Sequence, residues 1–214
     1  MMKTDELIAM LASGAAPVEA DAGRRRLAMA LGWGLFGATL LMALLLGVRP
    51  DLAQALRLPM FWMKLGMPVL TALAALQLAR RLGMPGTGPG RAPLLLSALL
   101  LLAWSGAAAV LMNCAPEARA PLLFGSTWKT CPFNIALLSS PVFVATFWAM
   151  RGMAPTRPTQ AGAAAGLLAG AAGAAVYALH CPEMAAPFLG IWYVLGMAIP
   201  ALAGAVLGTR LLRW

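Results

Sequence analysis

Apolar positions in this chain neither alternate nor recur in narrow helical stripes; they run on. Six stretches are almost wholly apolar: 27–47, 59–79, 92–112, 132–150, 161–179 and 187–209. A helix needs about 20 such residues to cross a hydrocarbon core of about 30 Å. Each stretch therefore predicts a membrane-spanning helix. Five carry no charge, and the second carries only Lys64. The first follows Arg24-Arg25-Arg26, as a signal peptide's core would. It is longer than a signal core of about 7–15 residues and lacks an obvious small-x-small cleavage site, so it reads as a retained span.

Turn-rich breakers separate the pairs. Residues 84–90 (MPGTGPG) and 153–160 (MAPTRPTQ) join one pair to the next, and the loops within pairs run about 48–58, 113–131 and 180–186. The expected fold is an all-α membrane protein: a six-transmembrane-helix bundle of three outward hairpins. Residues 1–26 form a cytoplasmic lead and 27–214 the transmembrane domain.

Composition agrees with this reading. Of 214 residues 61% are apolar and 11% charged, and mean hydropathy is +0.80. Soluble chains carry about 25% charged residues. The net charge of +9 first suggests nucleic acid or a membrane surface. Its placement decides against direct nucleic-acid binding. With the N-terminus inside, eleven basic residues fall on the inner side (Lys3, Arg24, Arg25, Arg26, Arg80, Arg81, Arg91, Arg151, Arg157, Arg210, Arg213). Five fall outside or at the start of span two (Arg49, Arg57, Lys64, Arg119, Lys129). Cytoplasmic loops carry the basic excess, so N-in and C-in is expected, with the lipid bilayer as a partner.

Finer features concern packing. Each returning span begins near an X-Pro step: Leu58-Pro59, Cys131-Pro132 and Cys181-Pro182. Pro68, Pro141 and Pro200 lie within spans, where proline frees a carbonyl and bends the helix. Gly162, Gly166 and Gly170 repeat every fourth residue, as do Gly204 and Gly208. Such stripes let helix backbones approach closely, which predicts that the Ala/Gly-rich fifth span is central. Trp62 and Trp128 fit an outer aromatic belt, Trp148 and Trp214 an inner one. Lys64, about 7.5 Å into its helix at 1.5 Å per residue, is expected to snorkel to the outer interface.

Chemistry is sparse. No span contains a carboxylate, and no phosphate loop, zinc-hydrolase helix or serine elbow appears. An enzyme is not expected, and no cofactor is implied. The three cysteines, Cys114, Cys131 and Cys181, all fall at outer ends of spans, on the oxidising side of a bacterial membrane. Three single pairings are open. Cys131 with Cys181 is favoured, because each precedes a proline at the expected start of a returning helix. Thiolates suit soft metals and oxidants, and His180 beside Cys181 makes Cys131, Cys181 and His180 a candidate metal set. Packed residues, a static disulfide and a sensing pair all remain open on the residues alone.

The lead carries one more pattern. Thr4 is a cap residue, and Asp5 and Glu6 suit the positive end of a helix. Leu7, Ile8 and Leu11 share one face, and Ser13-Gly14 followed by Pro17 ends the helix. Its acidic polar side argues against anionic lipid and for a protein groove that would take Thr4, Asp5, Glu6, Leu7, Ile8 and Leu11.

Taken together, the opening Met2-Lys3-Thr4-Asp5-Glu6-Leu7-Ile8, the Arg24–Arg26 cluster, six spans and two Cys-Pro steps resemble the NrsF-type membrane anti-sigma factors over essentially the whole chain. The resemblance implies a bacterial inner-membrane protein that sequesters an extracytoplasmic-function sigma factor. It implies release when two outer cysteines, here Cys131 and Cys181, meet chromate, cadmium or similar stress, with the metal acting as signal only. Cys114 is extra to that pattern. The zinc motif HxxxCxxC of soluble anti-sigma domains is absent. A small transporter or a thiol-redox membrane protein is the alternative, and a membrane scaffold the plainest reading.

Overall fold

The computed structural model describes residues 4–13 and 21–213, and these are all-helical. In chain order they form α1 (Thr4–Ser13), α2 (Ala22–Leu45), α3 (Leu52–Ala55), α4 (Pro59–Leu82), α5 (Ala92–Asn113), α6 (Pro116–Phe124), α7 (Cys131–Arg151), α8 (Pro158–Tyr177), α9 (Ala186–Phe188), a π-helical turn (Leu189–Tyr193) and α10 (Val194–Leu211). Six segments are long and apolar enough to cross a membrane: α2, α4, α5, α7, α8 and the continuous run Ala186–Leu211. They correspond one to one with the six predicted stretches.

Two buried clusters mark the two ends of the bundle. Leu27, Leu82, Met150, Ala161 and Leu212 meet at one end, so the first and last spans share it. Met42, Cys131, Tyr177, Cys181 and Phe188 belong to the other cluster, which extends toward the thiol end.

Some boundaries differ from expectation. Helix α2 opens at Ala22, so Arg24–Arg26 are helical rather than part of the lead. Thr4 is the first residue of α1, which runs to Ser13; the expected stop at Gly14 and Pro17 lies outside the described residues, as does Trp214. The X-Pro repeat holds for Pro59 and Pro132, each in the first turn of its helix. It fails at the third step. Cys181-Pro182 lies in a loop, and the last span begins at Ala186-Pro187.

Helix α8 is the axis. It is buried along most of its length, and α5 along almost none. Backbone proximity explains this. A Cβ on Gly162 would fall on the Gly204 carbonyl and 2.9 Å from Gly208 Cα. One on Gly166 would fall on the Pro200 carbonyl and 2.9 Å from Ala201 Cα. On another side, a Cβ on Gly173 would lie 2.9 Å from the Ile135 carbonyl of α7. Lipid tails are as apolar as leucine, so such helices associate through close van der Waals packing. At these three positions only glycine permits it. The predicted central fifth span is thus borne out.

The second seam joins α2 to α7. Gly34 meets Val142 and Gly37 meets Pro141. Pro141 leaves the Leu137 carbonyl without its helical donor, and the Ser140 hydroxyl donates to that carbonyl at 2.7 Å. Helix α5 is peripheral, with Leu94, Leu101, Leu102 and Met112 exposed in a manner suited to lipid. Between it and α4, α8 and α10 lies an apolar crevice of about 370 Å³, lined by Met67, Leu96, Leu167 and Met197 among others.

The glycine seam makes a direct prediction. Gly166→Val should lower stability by about 1–3 kcal/mol, read as a lower unfolding midpoint in detergent micelles. Gly66→Ala is the control, because nothing lies within 4 Å of its Cβ position, and its midpoint should not fall.

Candidate functional site

The loops at the thiol end converge on the segment leaving α8. Residues 178–185 drop from the central helix, and neighbouring loops grip them. The Arg49 amide donates to the Leu179 carbonyl at 3.1 Å. His180 Nδ1 lies 2.9 Å from the Gly47 carbonyl oxygen, so that nitrogen carries the proton. Glu183 accepts from both the amide and the hydroxyl of Ser126 at 2.7 Å. Gly125 has φ +52°, a conformation that favours glycine, and its bare Cα leaves room for the Glu183 carboxylate beside it.

Cys181 sits at the centre of this grip. Cys131 opens α7 beside it, and both thiols are free and fully buried. They share one cluster with Tyr177 and Tyr193, whose rings lie 5.9 Å apart. Both tyrosines are fully buried in that cluster, and the Tyr193 hydroxyl has no hydrogen-bond partner among the described residues. Tyr193 is carried by the π-helical turn. Such a turn holds one residue more than an α-turn and often marks a functional site.

Two cations converge on one backbone oxygen. Lys64 Nζ donates to the Cys181 carbonyl at 2.6 Å, and an Arg49 Nη1 proton is donated to the same oxygen at 3.2 Å. Lys64 is 1% exposed and lies 5.6 Å from the Tyr193 ring centroid. It does not snorkel, because the descending 178–185 loop caps it from above and supplies its acceptor. Arg49 also makes a two-pronged ion pair with Asp51, with both N···O distances 2.7 Å. Those hydrogen bonds hold the Asp51 carboxyl below the usual carboxylate range and push the Arg49 guanidinium up.

The remaining expected residues are placed as follows. His180 turns to Gly47 rather than to the thiols, and no group of three or more His, Cys, Asp or Glu among the described residues could hold a metal ion. Cys114 ends α5, half-buried, with its thiol donating to the Leu111 carbonyl at 3.4 Å. Every residue of α1 is exposed; Leu7 is 40%, Ile8 58% and Leu11 64% exposed. Met10 completes that apolar face at i+3 from Leu7 and went unread in the sequence. Asp5 and Glu6 are in its first turn, as expected. Lys64, Tyr177, Tyr193 and the Arg49–Asp51 pair were also missed as parts of the thiol site. One signal was available, since Lys64 is the sole charge inside any predicted span.

At the other end, α7 closes on α2. The Arg26 guanidinium lies 4.6 Å from the Trp148 ring centroid and donates to the Trp148 carbonyl at 3.4 Å. A single helix thus runs from Cys131 to the base of α2.

Comparisons with known proteins agree along the chain. Residues 11–214 match the family described as NrsF, negative regulator of sigma F. The probable anti-sigma-F factor NrsF of Azospira oryzae is 53% identical over 213 residues, covering 100% of both chains. The anti-sigma-F factor NrsF of Caulobacter vibrioides is 41% identical over 215 residues, again covering 100% of both. No solved structure matches the chain significantly.

The Arg49–Asp51 pair predicts a pH response. The folded carboxyl titrates below its unfolded value of about 3.9. Its contribution is therefore present above that value and lost as pH falls through the lower folded one. The unfolding midpoint of the wild-type chain should drop below about pH 4 more steeply than that of Asp51→Asn. Parallel acid profiles would show that the pair does not hold the loop.

Proposed function

The chain belongs to the NrsF family of negative regulators of sigma F, and on that premise we propose an anti-sigma factor that works across a membrane. It holds a sigma factor of the extracytoplasmic-function class at the bacterial inner membrane. It lets go when Cys131 and Cys181 react. Its role is regulatory, not enzymatic.

The observation that carries this reading is the separation of two features. A buried pair of free thiols lies at one end of the bundle. The chain's only wholly exposed helix among the described residues, α1, leads into the start of α2 at the other. The exposed face of Leu7, Ile8, Met10 and Leu11 with acidic Asp5 and Glu6 suits a groove on a protein partner. Ten residues form a marginal helix alone, so capture would order it.

Charge supports the orientation. The end that holds the start of α2 and the end of α10 carries Arg24–Arg26, Arg80, Arg81, Arg151, Arg157 and Arg210, and the positive-inside rule favours a cytoplasmic side for it. The thiols then face the periplasm. There a soft metal ion such as cadmium displaces the two thiol protons, or an oxidant such as chromate removes two electrons as the pair closes to a disulfide and two protons leave. Either event changes the spacing of α7 and the 178–185 loop. Helix α7 links Cys131 to the Trp148–Arg26 contact and so to the first turns of α2. Moving the partner from 99% bound to 99% free requires about 5.5 kcal/mol of differential stabilisation, within the range of covalent or metal–thiolate chemistry.

Two outcomes test this. With a sigma-dependent reporter in cells, the double substitution Cys131→Ser and Cys181→Ser should keep the reporter off when chromate or cadmium is added. Normal induction in that variant removes the cysteines from sensing. In pull-downs from solubilised membranes, deleting residues 1–13 should weaken capture of the sigma factor about tenfold or more. Undiminished capture assigns binding to another surface.

A further inference from the structure

Lys64 is a buried ammonium with no carboxylate partner. The ion pairs among the described residues are Arg24–Asp21 and Arg49–Asp51. The second is neutral in itself, and the Glu183 carboxylate is taken up by the Ser126 amide and hydroxyl, so Lys64 has no carboxylate within ion-pair distance. Burying such a charge is costly even after relaxation. Its bond to the Cys181 carbonyl and its approach to the Tyr193 ring offset part of this. A neutral amide could clamp the same carbonyl without that cost. The thiols of Cys181 and Cys131 are groups beside it able to carry negative charge, and Cys181 is the residue whose carbonyl the amine binds. A thiolate, not a thiol, is the nucleophile and the metal ligand. Attraction between opposite charges grows as water is excluded.

We propose that Lys64 is a positioning residue that provides the counter-charge for a thiolate at Cys181, making Cys181 the first of the pair to react. This rests on the sensing role proposed above and names the group that arms the sensor. It assigns an order to the chemistry. With a disulfide reagent, the Cys181 sulfur attacks one sulfur of the reagent, forming a mixed disulfide and expelling one reagent thiolate. The Cys131 sulfur then attacks Cys181 Sγ, closing Cys131–Cys181 and expelling the second. The protein pair is oxidised, the reagent is reduced, and the two thiol protons leave with the expelled groups. The Arg49 guanidinium, bound to the same carbonyl and to Asp51, keeps the loop in place while Lys64 acts on the sulfur.

The experiment uses the full chain in detergent micelles, with Cys114→Ser as background and 4,4′-dithiodipyridine, a neutral reagent, as probe. Thiopyridone release is followed by absorbance. Lys64→Gln keeps a donor and removes the charge. It should react about tenfold or more slowly, and Lys64→Arg should recover most of the rate. A clamp alone predicts the opposite, since a loosened loop exposes the thiols and speeds reaction. A Lys64→Gln rate equal to or above wild type overturns the proposal.

A second measurement keeps Lys64 intact in case these variants do not assemble. The Cys131→Ser chain, which retains Cys181, should react faster than the Cys181→Ser chain, which retains Cys131. Equal or reversed rates overturn the assignment. Sigma-factor release is read in the same samples. If the pair closes at a Lys64-dependent rate without release, the sensing role falls and the role of Lys64 stands. If release follows closure but closure ignores Lys64, only the Lys64 proposal falls.

Discussion

The close backbone approach of α8 to its neighbours is the constraint on which the rest of this structure depends. Glycines 162, 166 and 204 leave no room for a side chain where α8 crosses α10, and Gly173 leaves none against α7. Because α8 occupies the axis, the loop that leaves it must emerge at the centre of one end. That is why Cys181 arrives in the middle of the thiol end rather than on its rim. Cys131 meets it because α7 packs directly on α8 and begins at the same level. The thiol pair is thus a product of helix packing in the apolar interior, not of a dedicated loop motif.

Much of the fold was legible in the sequence because each span announces itself by length and apolarity, independent of its neighbours. Six long, almost wholly apolar runs became six helices, and the Gly162-Gly166-Gly170 register correctly indicated the central one. Legibility failed where neighbours decide. The Cys181-Pro182 step looked like a helix start, since proline at that position is common. Tertiary contacts from Gly47, Arg49, Lys64 and Ser126 instead hold the segment as a loop, and the helix waits for Pro187. Snorkelling was the reasonable expectation for Lys64 from depth alone. It fails because a carbonyl from a segment 117 residues away lies above the amine.

The same distinction applies to the site. The cysteines were visible as the only soft nucleophiles in the chain. Their surroundings were not, because Arg49, Lys64, Tyr177 and Tyr193 come from four separate stretches with no shared spacing. His180 shows the converse error. Adjacency to Cys181 suggested a common ligand set, but neighbouring residues in a loop point different ways, and the imidazole is held by Gly47. The N-terminal helix was readable because its signal is local: two acids in the first turn and a short apolar face. Its exposure leaves that face available.

The π-helical turn at Leu189–Tyr193 carries a consequence for how this chain can vary in length. Successive helical residues are rotated by about 100°. Deleting one residue there to restore ordinary α-geometry would turn the two parts of the last span against each other by about that angle. Either Tyr193 would leave the thiols, or Pro200 and Gly204 would leave the seam with α8. Both surfaces can be satisfied only with the extra residue in place. The five-residue turn therefore acts as a phase adjuster, letting one continuous span obey two independent registers. Insertions and deletions should be tolerated in the solvent-facing connection at 84–90 and excluded from 189–193.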